Sequence, residues 1–241
     1  MPDAVPVEFD EADVAIIEYV MTNKLTKTST ERVVATINAC KHAVRAEIEG
    51  DFVECGVWRG GNAIAAKKTF ERLGSDKAVY LFDTFTGMTE PGDHDKTAYN
   101  PKSADERYRE ASRDGYRDWN YASLEDVKDN FARSGVDSSG IRFVQGDVLQ
   151  TLAVEENLPA CISVLRLDTD WYESTKVELE RLYPRLTIGG SILIDDYGHW
   201  EGARKAVDEY FSKMEAKRRP LLHYTDYTGR MGIKCRSAES R

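Results

Sequence analysis

Short, unbroken apolar runs recur along the chain, separated by stretches with apolar residues three and four positions apart. Five runs have the length and composition of buried strands in a parallel sheet: Asp51 to Cys55, Ala78 to Phe82, Ile141 to Val144, Ala160 to Leu167 and Ser191 to Ile194. Helical spacing predicts helices over 63–73, 123–134, 172–186 and 202–214, with Ser123 and Asp126 at capping-box spacing. The rhythm is strand then helix, five times over, closed by two short strands around Thr225 to Arg230 that predict a terminal hairpin. No linker divides residues 1–241, so one α/β domain is expected.

Two regions fall outside that rhythm. Residues 1–49 carry helical patterns over 11–21 and 30–49, the second capped by Ser29 or Thr30 and stopped by Gly50, with a polar connector at 22–28. Such helices either cover a site or make a subunit contact, or they simply pack on the sheet. Residues 86–120 form a charged, tyrosine-rich insertion with little apolar periodicity. A loop of that length is functional or disordered; it reads as a mobile lid or as a solvated insert.

Composition narrows the field. Of 241 residues, 41% are hydrophobic, enough for a full core. The net charge of -9 argues against nucleic acid or an anionic membrane surface as partner and favours a small-molecule substrate. Cys40, Cys55, Cys161 and Cys235 are scattered without metal-finger spacing, and neither a signal peptide nor a membrane-spanning run is visible, which points to reduced thiols and the cytoplasm.

The chemistry gathers where strands end. Asp168-Thr169-Asp170 follows one apolar run and Asp195-Asp196 follows another. Ligands of open α/β sheets bind at that edge, and clustered carboxylates there are costly without a cation. All-carboxylate ligation suits a hard cation such as Mg²⁺. In a regular strand Asp195 and Asp196 would face opposite sides, so both reach one ion only if the strand has ended by Asp196. Glu54 opens a glycine-rich strand-to-helix turn, where backbone N–H groups meet a ligand. Its glycines stand at 56, 60 and 61, which does not match GxGxxG, and Glu54 is poor company for a pyrophosphate. A ligand with an ammonium or several hydroxyls fits better than a nicotinamide dinucleotide. Asp83, at the end of the second strand, stands where ribose hydroxyls are gripped. His94, in the insertion, is a backup base. His199 and Trp200 either touch an acceptor or pack, and Trp171 and Tyr172 either stack on a sugar or anchor the following helix.

Together these words resemble the macrocin O-methyltransferase (TylF/MycF) family of S-adenosylmethionine-dependent, metal-dependent methyltransferases. The resemblance rests on Glu54-Cys55-Gly56-Val57-Trp58-Arg59-Gly60-Gly61, Leu81-Phe82-Asp83-Thr84-Phe85 with Gly87-Met88, Gly146-Asp147, Leu165 through Thr175, Leu182-Tyr183-Pro184, Gly189-Gly190 and Ile194-Asp195-Asp196-Tyr197. It implies a doubly wound, Rossmann-like class I methyltransferase sheet, mostly parallel with an antiparallel C-terminal hairpin strand. It implies that S-adenosylmethionine is held by Glu54, Gly56, Val57, Trp58 and Asn62 at its methionine end, by Asp83, Thr84 and Phe85 around the ribose, and by Ser123, Gly146, Asp147 and Val148 around the adenine. It implies Mg²⁺ on Asp168, Asp195 and Asp196 with Asp170 as base, a sugar hydroxyl on a glycosylated natural product as acceptor, and a homo-oligomer. A catechol-type O-methyltransferase and a non-catalytic S-adenosylmethionine- or sugar-binding protein are the alternatives.

Overall fold

The computed structural model describes residues 5–97, 99–100 and 102–235. Two helices precede the sheet, α1 (Glu11–Thr22) and α2 (Thr30–Arg45). The alternating part then runs β1 (Asp51–Cys55), α3 (Gly61–Arg72), β2 (Val79–Asp83), α4 (Ala104–Glu110), α5 (Leu124–Ser134), β3 (Ile141–Gln145), α6 (Val148–Thr151), β4 (Ile162–Leu167), α7 (Tyr172–Leu182), β5 (Leu186–Ile194) and α8 (Glu201–Ser212). The chain closes with the hairpin β6 (His223–Tyr224) and β7 (Arg230–Ile233). The seven strands lie in the order β3-β2-β1-β4-β5-β7-β6. Only the two contacts of β7 are antiparallel.

The strand order reverses between β1 and β4, so the crevice expected of a doubly wound sheet opens above the carboxyl ends of those strands. Two apolar clusters cover the sheet. One joins Val20, Val33, Ile37 and Cys40 of α1 and α2 to Phe52, Ile64 and Leu81; the other joins Leu165, Leu179, Ile192 and Val207. The N-terminal helices are thus part of the core, and α2 is buried on more than one face.

Several expected boundaries move, each for a local reason. Helix α2 ends at Arg45, not 49, because Glu47 turns to φ 52 and Ile48 N–H returns to Ala43. Gly50 serves instead at the start of β1, where a Cβ would lie 2.5 Å from the Cys161 carbonyl carbon. Helix α7 gives way at Tyr183 to a 3-10 turn containing Pro184, which lacks the N–H a helix needs. Leu186, expected as the helix's last apolar residue, instead opens a nine-residue β5 that includes Gly189-Gly190. The 86–120 insertion is more ordered than its pattern suggested. It contains α4 with a complete Ser103–Glu106 capping box, and Trp119, Ala104 and Ala111 pack on Trp171, Trp200 and Ala203 as a third apolar cluster.

Candidate active site

The crevice holds a cavity of about 400 Å³, within the range of small-molecule sites. Glu54, Gly56, Val57, Trp58, Asn62, Asp83, Thr84, Gly146, Asp147 and Val148 line one side, and Asp168, Asp170, Asp195 and Asp196 the other. Of the expected site residues, two do not line it. Phe85 is buried against Phe143 in the core, and Ser123 caps α5 with its hydroxyl turned to Asp126.

The β1 turn is fixed by close approach. Gly56 takes φ 81, and a Cβ there would sit 1.8 Å from the Asp168 carbonyl oxygen. Asp168 N–H donates to the Cys55 carbonyl at 2.9 Å, so the turn after β1 abuts the acidic motif after β4. Asp83 fastens the same turn: one carboxylate oxygen accepts the N–H groups of Val57 (2.6 Å) and Trp58 (3.1 Å), the other that of Phe85 (2.7 Å). Glu54 is buried with Oε1 on Arg166 (3.0 Å) and, among the described residues, Oε2 without a partner. Burial raises its pKa to about 8 against the pull of Arg166. An orphaned, buried carboxylate oxygen facing a cavity calls for a cationic donor; a ligand ammonium would satisfy it and hold Glu54 ionised.

The second side is a carboxylate cluster. Strand β5 ends at Ile194, and the Asp196 carbonyl already accepts N–H groups of His199 and Trp200 in a turn, so Asp195 and Asp196 no longer face opposite ways. Oxygens of Asp168, Asp195 and Asp196 lie within 4.8 Å of one another. Asp170 sits at φ 68 with Trp171 N–H bonded to the Thr169 carbonyl at 2.8 Å, a three-residue γ-turn of the strained kind. That turn holds its Oδ1 on Trp200 Nε1 (2.5 Å) and its N–H on Asp196 Oδ2 (3.1 Å).

Charge explains the cluster's chemistry. Arg166, buried within β4, donates to Asp168 (2.7 Å) and to Asp195 as well as Glu54, and Arg32 of α2 donates to the other oxygen of Asp195. Burial alone would lower the Arg166 pKa, but Asp168, Asp195 and Glu54 outweigh it and the net shift is upward. Among the described residues no cationic side chain pairs with Asp170 or Asp196. Burial and then the neighbouring Asp168 push Asp170 and Asp195 up to about 7, and burial and then Asp170 push Asp196 up. Four carboxylates against two guanidiniums leave a negative excess, and the donor set is all oxygen. A hard divalent cation fits it.

Apart from His199 and Trp200, which the sequence left between acceptor contact and packing, the remaining lining residues were not foreseen as site residues. Thr26, Lys27, Thr28 and Arg32 come from the connector before α2 and its first turn; Met88, Thr89, Arg107, Trp119 and Asn120 from the insertion; Tyr227 and Thr228 from the hairpin loop. Lys27 Nζ donates to Asn120 Oδ1 at 2.6 Å, which joins the first group to the second across the mouth. His199, weighed in the sequence between acceptor contact and packing, lines the cavity and stacks on Tyr99. His94 packs edge-on against Tyr172 and does not line the cavity.

A family model described as macrocin-O-methyltransferase (TylF) matches residues 13–230. The chain belongs to that family. A Streptomyces olivaceus relative, 8-demethyl-8-(2,3-dimethoxy-alpha-L-rhamnosyl)-tetracenomycin-C 4'-O-methyltransferase, is 36% identical over 173 residues, covering 71% of this chain and 62% of the relative. The demethyldecarbamoylnovobiocin O-methyltransferase of Streptomyces niveus is 33% identical over 172 residues, covering 70% of this chain and 60% of the relative. The match therefore spans about three-fifths of each curated relative. Among solved structures, the O-methyltransferase NovP superposes with a TM-score of 0.78 at 25% identity, over 93% of this chain and 98% of NovP. At that coverage the superposition takes in most of the largely parallel sheet described above. No helix among the described residues is long and apolar enough to cross a membrane.

Proposed function

We propose that this TylF-family protein is an S-adenosylmethionine- and Mg²⁺-dependent O-methyltransferase acting on a sugar hydroxyl of a glycosylated natural product. The observation that carries the reading is one cavity with two complementary walls: the unpartnered Glu54 oxygen beside the Gly56 turn, and the under-neutralised Asp168/Asp170/Asp195/Asp196 cluster abutting it. The sugar acceptors named for the tetracenomycin relative, and the novobiocin and macrocin chemistry of its kin, agree with a hydroxyl as nucleophile.

Glu54 would take the donor's ammonium, the Val57–Trp58 turn would lie along its methionine part, and Asp83 and Asp147 would face its ribose and adenine. S-adenosylmethionine supplies a methyl group on a sulfonium leaving group, so the protein's task is alignment. Asp168, Asp195 and Asp196 would hold the divalent cation, whose positive charge lowers the pKa of a nearby hydroxyl. Asp170 Oδ is the proton acceptor: its γ-turn and the Trp200 N–H keep the carboxylate aimed into the cavity, and its raised pKa suits a base working near neutrality. Trp119, Met88 and Arg107 of the insertion close the mouth over the acceptor and exclude water, which makes 86–120 a lid.

The test is methyl transfer from labelled donor to vicinal-diol glycosides and to catechols. Turnover on glycosides should vanish with EDTA and return with Mg²⁺. Asp170→Asn should cut kcat by at least a hundredfold with little change in donor affinity, and a pure binding defect would remove Asp170 as base. Activity confined to catechols would sink the sugar reading.

A further inference from the structure

Arg32, like Lys27, is a cavity cation that the chemistry above does not use, and it alone of the two touches the acidic cluster. It lies in the first turn of α2, 14% exposed, with Nη1 on Asp195 Oδ2. Its Nε lies 2.9 Å from Asp226 Oδ2, close enough for an ion pair but not aligned for a hydrogen bond. Asp226 belongs to the hairpin loop. Its Oδ1 is spent on the N–H groups of Thr228 and Gly229, while Oδ2 receives only Ser29 Oγ, at 2.7 Å, and a carboxylate oxygen can accept a second donor.

Asp195 is thereby held from both sides, Oδ1 by Arg166 and Oδ2 by Arg32. The two guanidiniums differ in freedom. Arg166 is enclosed in β4 and tied to Glu54 and Asp168 as well. Arg32 reaches in from the cavity wall on a long side chain, with a second carboxylate within reach. A divalent cation on Asp168, Asp195 and Asp196 would need an oxygen of Asp195, both of which carry a guanidinium, and a guanidinium that stays beside the ion repels it.

We propose that Arg32 is a built-in counter-cation that occupies Asp195 in the metal-free protein and hands over to Asp226 when a divalent ion binds, so that Arg32 and Asp226 together set the metal affinity of the site. The inference rests on the reading of Asp168, Asp195 and Asp196 as the metal ligands. Its content is regulatory. Metal entry would leave Arg32 to Asp226 alone, tightening the tie between the start of α2 and the hairpin loop that this ion pair and the Ser29–Asp226 bond already make beside the cavity-lining Tyr227 and Thr228.

Mn²⁺ binding, followed by electron paramagnetic resonance on the full chain without donor or acceptor, tests it. Arg32→Met should bind Mn²⁺ at least tenfold more tightly than wild type. Asp226→Asn, which keeps Oδ1 for the loop but removes the alternative partner, should bind it several-fold more weakly. In the double variant the Asp226 effect should disappear, because the group it acts through is gone. Arg32→Gln is the fallback where the methionine variant fails to fold, with the same expected direction. An unchanged or weakened affinity without Arg32 would overturn the proposal and make Arg32 a holder of Asp195. An Asp226 effect that persists in the double variant would overturn the hand-over. Absence of Mn²⁺ binding by the wild type would instead overturn the metal reading of the site.

Discussion

Above β1 and β2, each acidic side chain has its own partner, backbone for Asp83 and the Arg166 guanidinium for Glu54. Asp83 takes three N–H groups from the turn and its own strand end, and Glu54 keeps only one oxygen open. Above β4 and β5, four aspartates face one another with two guanidiniums, one indole N–H and one backbone N–H among them. The first wall is finished before a ligand arrives and requires a small cationic group at one point. The second is left short of positive charge. Raised pKa values occur on both walls, burial leading in each, but the next cause differs: for Glu54 and Asp83 it is an opposing one, Arg166 or a backbone hydrogen bond, whereas for Asp170 and Asp196 it is a second carboxylate that adds to burial. A preorganised wall confers orientation, and an unfinished one makes function conditional on an ion.

Removing what joins the walls should have the largest effect. Gly56→Ala places a methyl group against the Asp168 carbonyl and forces a side chain into positive φ. Stability should fall by about 4 kcal/mol or more in urea unfolding, with donor and metal binding lost together. A variant that folds with either binding intact would show that the walls are separable at this point. Arg166→Met comes next. Deleting the guanidinium leaves Glu54, Asp168 and Asp195 buried without it, and loss of one partner of a buried ion pair costs about 3–5 kcal/mol. Loss under 1 kcal/mol would mean that the three carboxylates stand protonated without it, and that Arg166 does not bind the walls together.

Single-wall changes should separate them. Glu54→Gln should weaken donor-analogue binding by about tenfold to a hundredfold, the worth of a charge-assisted bond, while Mn²⁺ binding stays within a factor of three. Asp196→Asn should do the reverse. Calorimetric titration of each ligand into each variant reads both, and parallel losses in either variant would merge the two walls into one unit.

What the sequence displayed follows the same division. Glu54, Asp83, Asp168 and Asp195 each stand where an apolar run stops, so period and position expose them before any fold is known. Arg107, Trp119 and Tyr227 reach the cavity from stretches that carry no repeating pattern, and Arg32 from a helix whose pattern marks only its apolar positions; only the closed fold brings α2, the insertion and the hairpin loop to one mouth. One signal was available for Arg166: a guanidinium inside the otherwise apolar run Ile162 to Leu167 must find carboxylates or disrupt the strand. The helix ends at Arg45 and Leu182 were hidden for another reason. Ile48 and Leu186 keep helical spacing by coincidence, and a local turn and Pro184 override it.

The smallest effect expected lies behind the second wall. Glu178 of α7 is buried, with Oε1 2.8 Å from Thr169 Oγ1 in the acidic motif and Oε2 unpartnered among the described residues. Burial raises its pKa from 4.5 to about 8, with Thr169 opposing and Asp168 adding. The folded protein therefore keeps a proton that the unfolded chain has already released above the ordinary carboxyl value. By linkage, stability from this group is full below about pH 4.5 and declines as pH rises toward 8. Glu178→Gln removes the titration and keeps an acceptor for Thr169. Its Tm should match or fall slightly below wild type at pH 5 and exceed it by a few degrees at pH 8.5, on the order of 1 kcal/mol. If the wild-type decline with pH persists unchanged in the variant, Glu178 is not its source, and the carboxylates of the unfinished wall carry it alone.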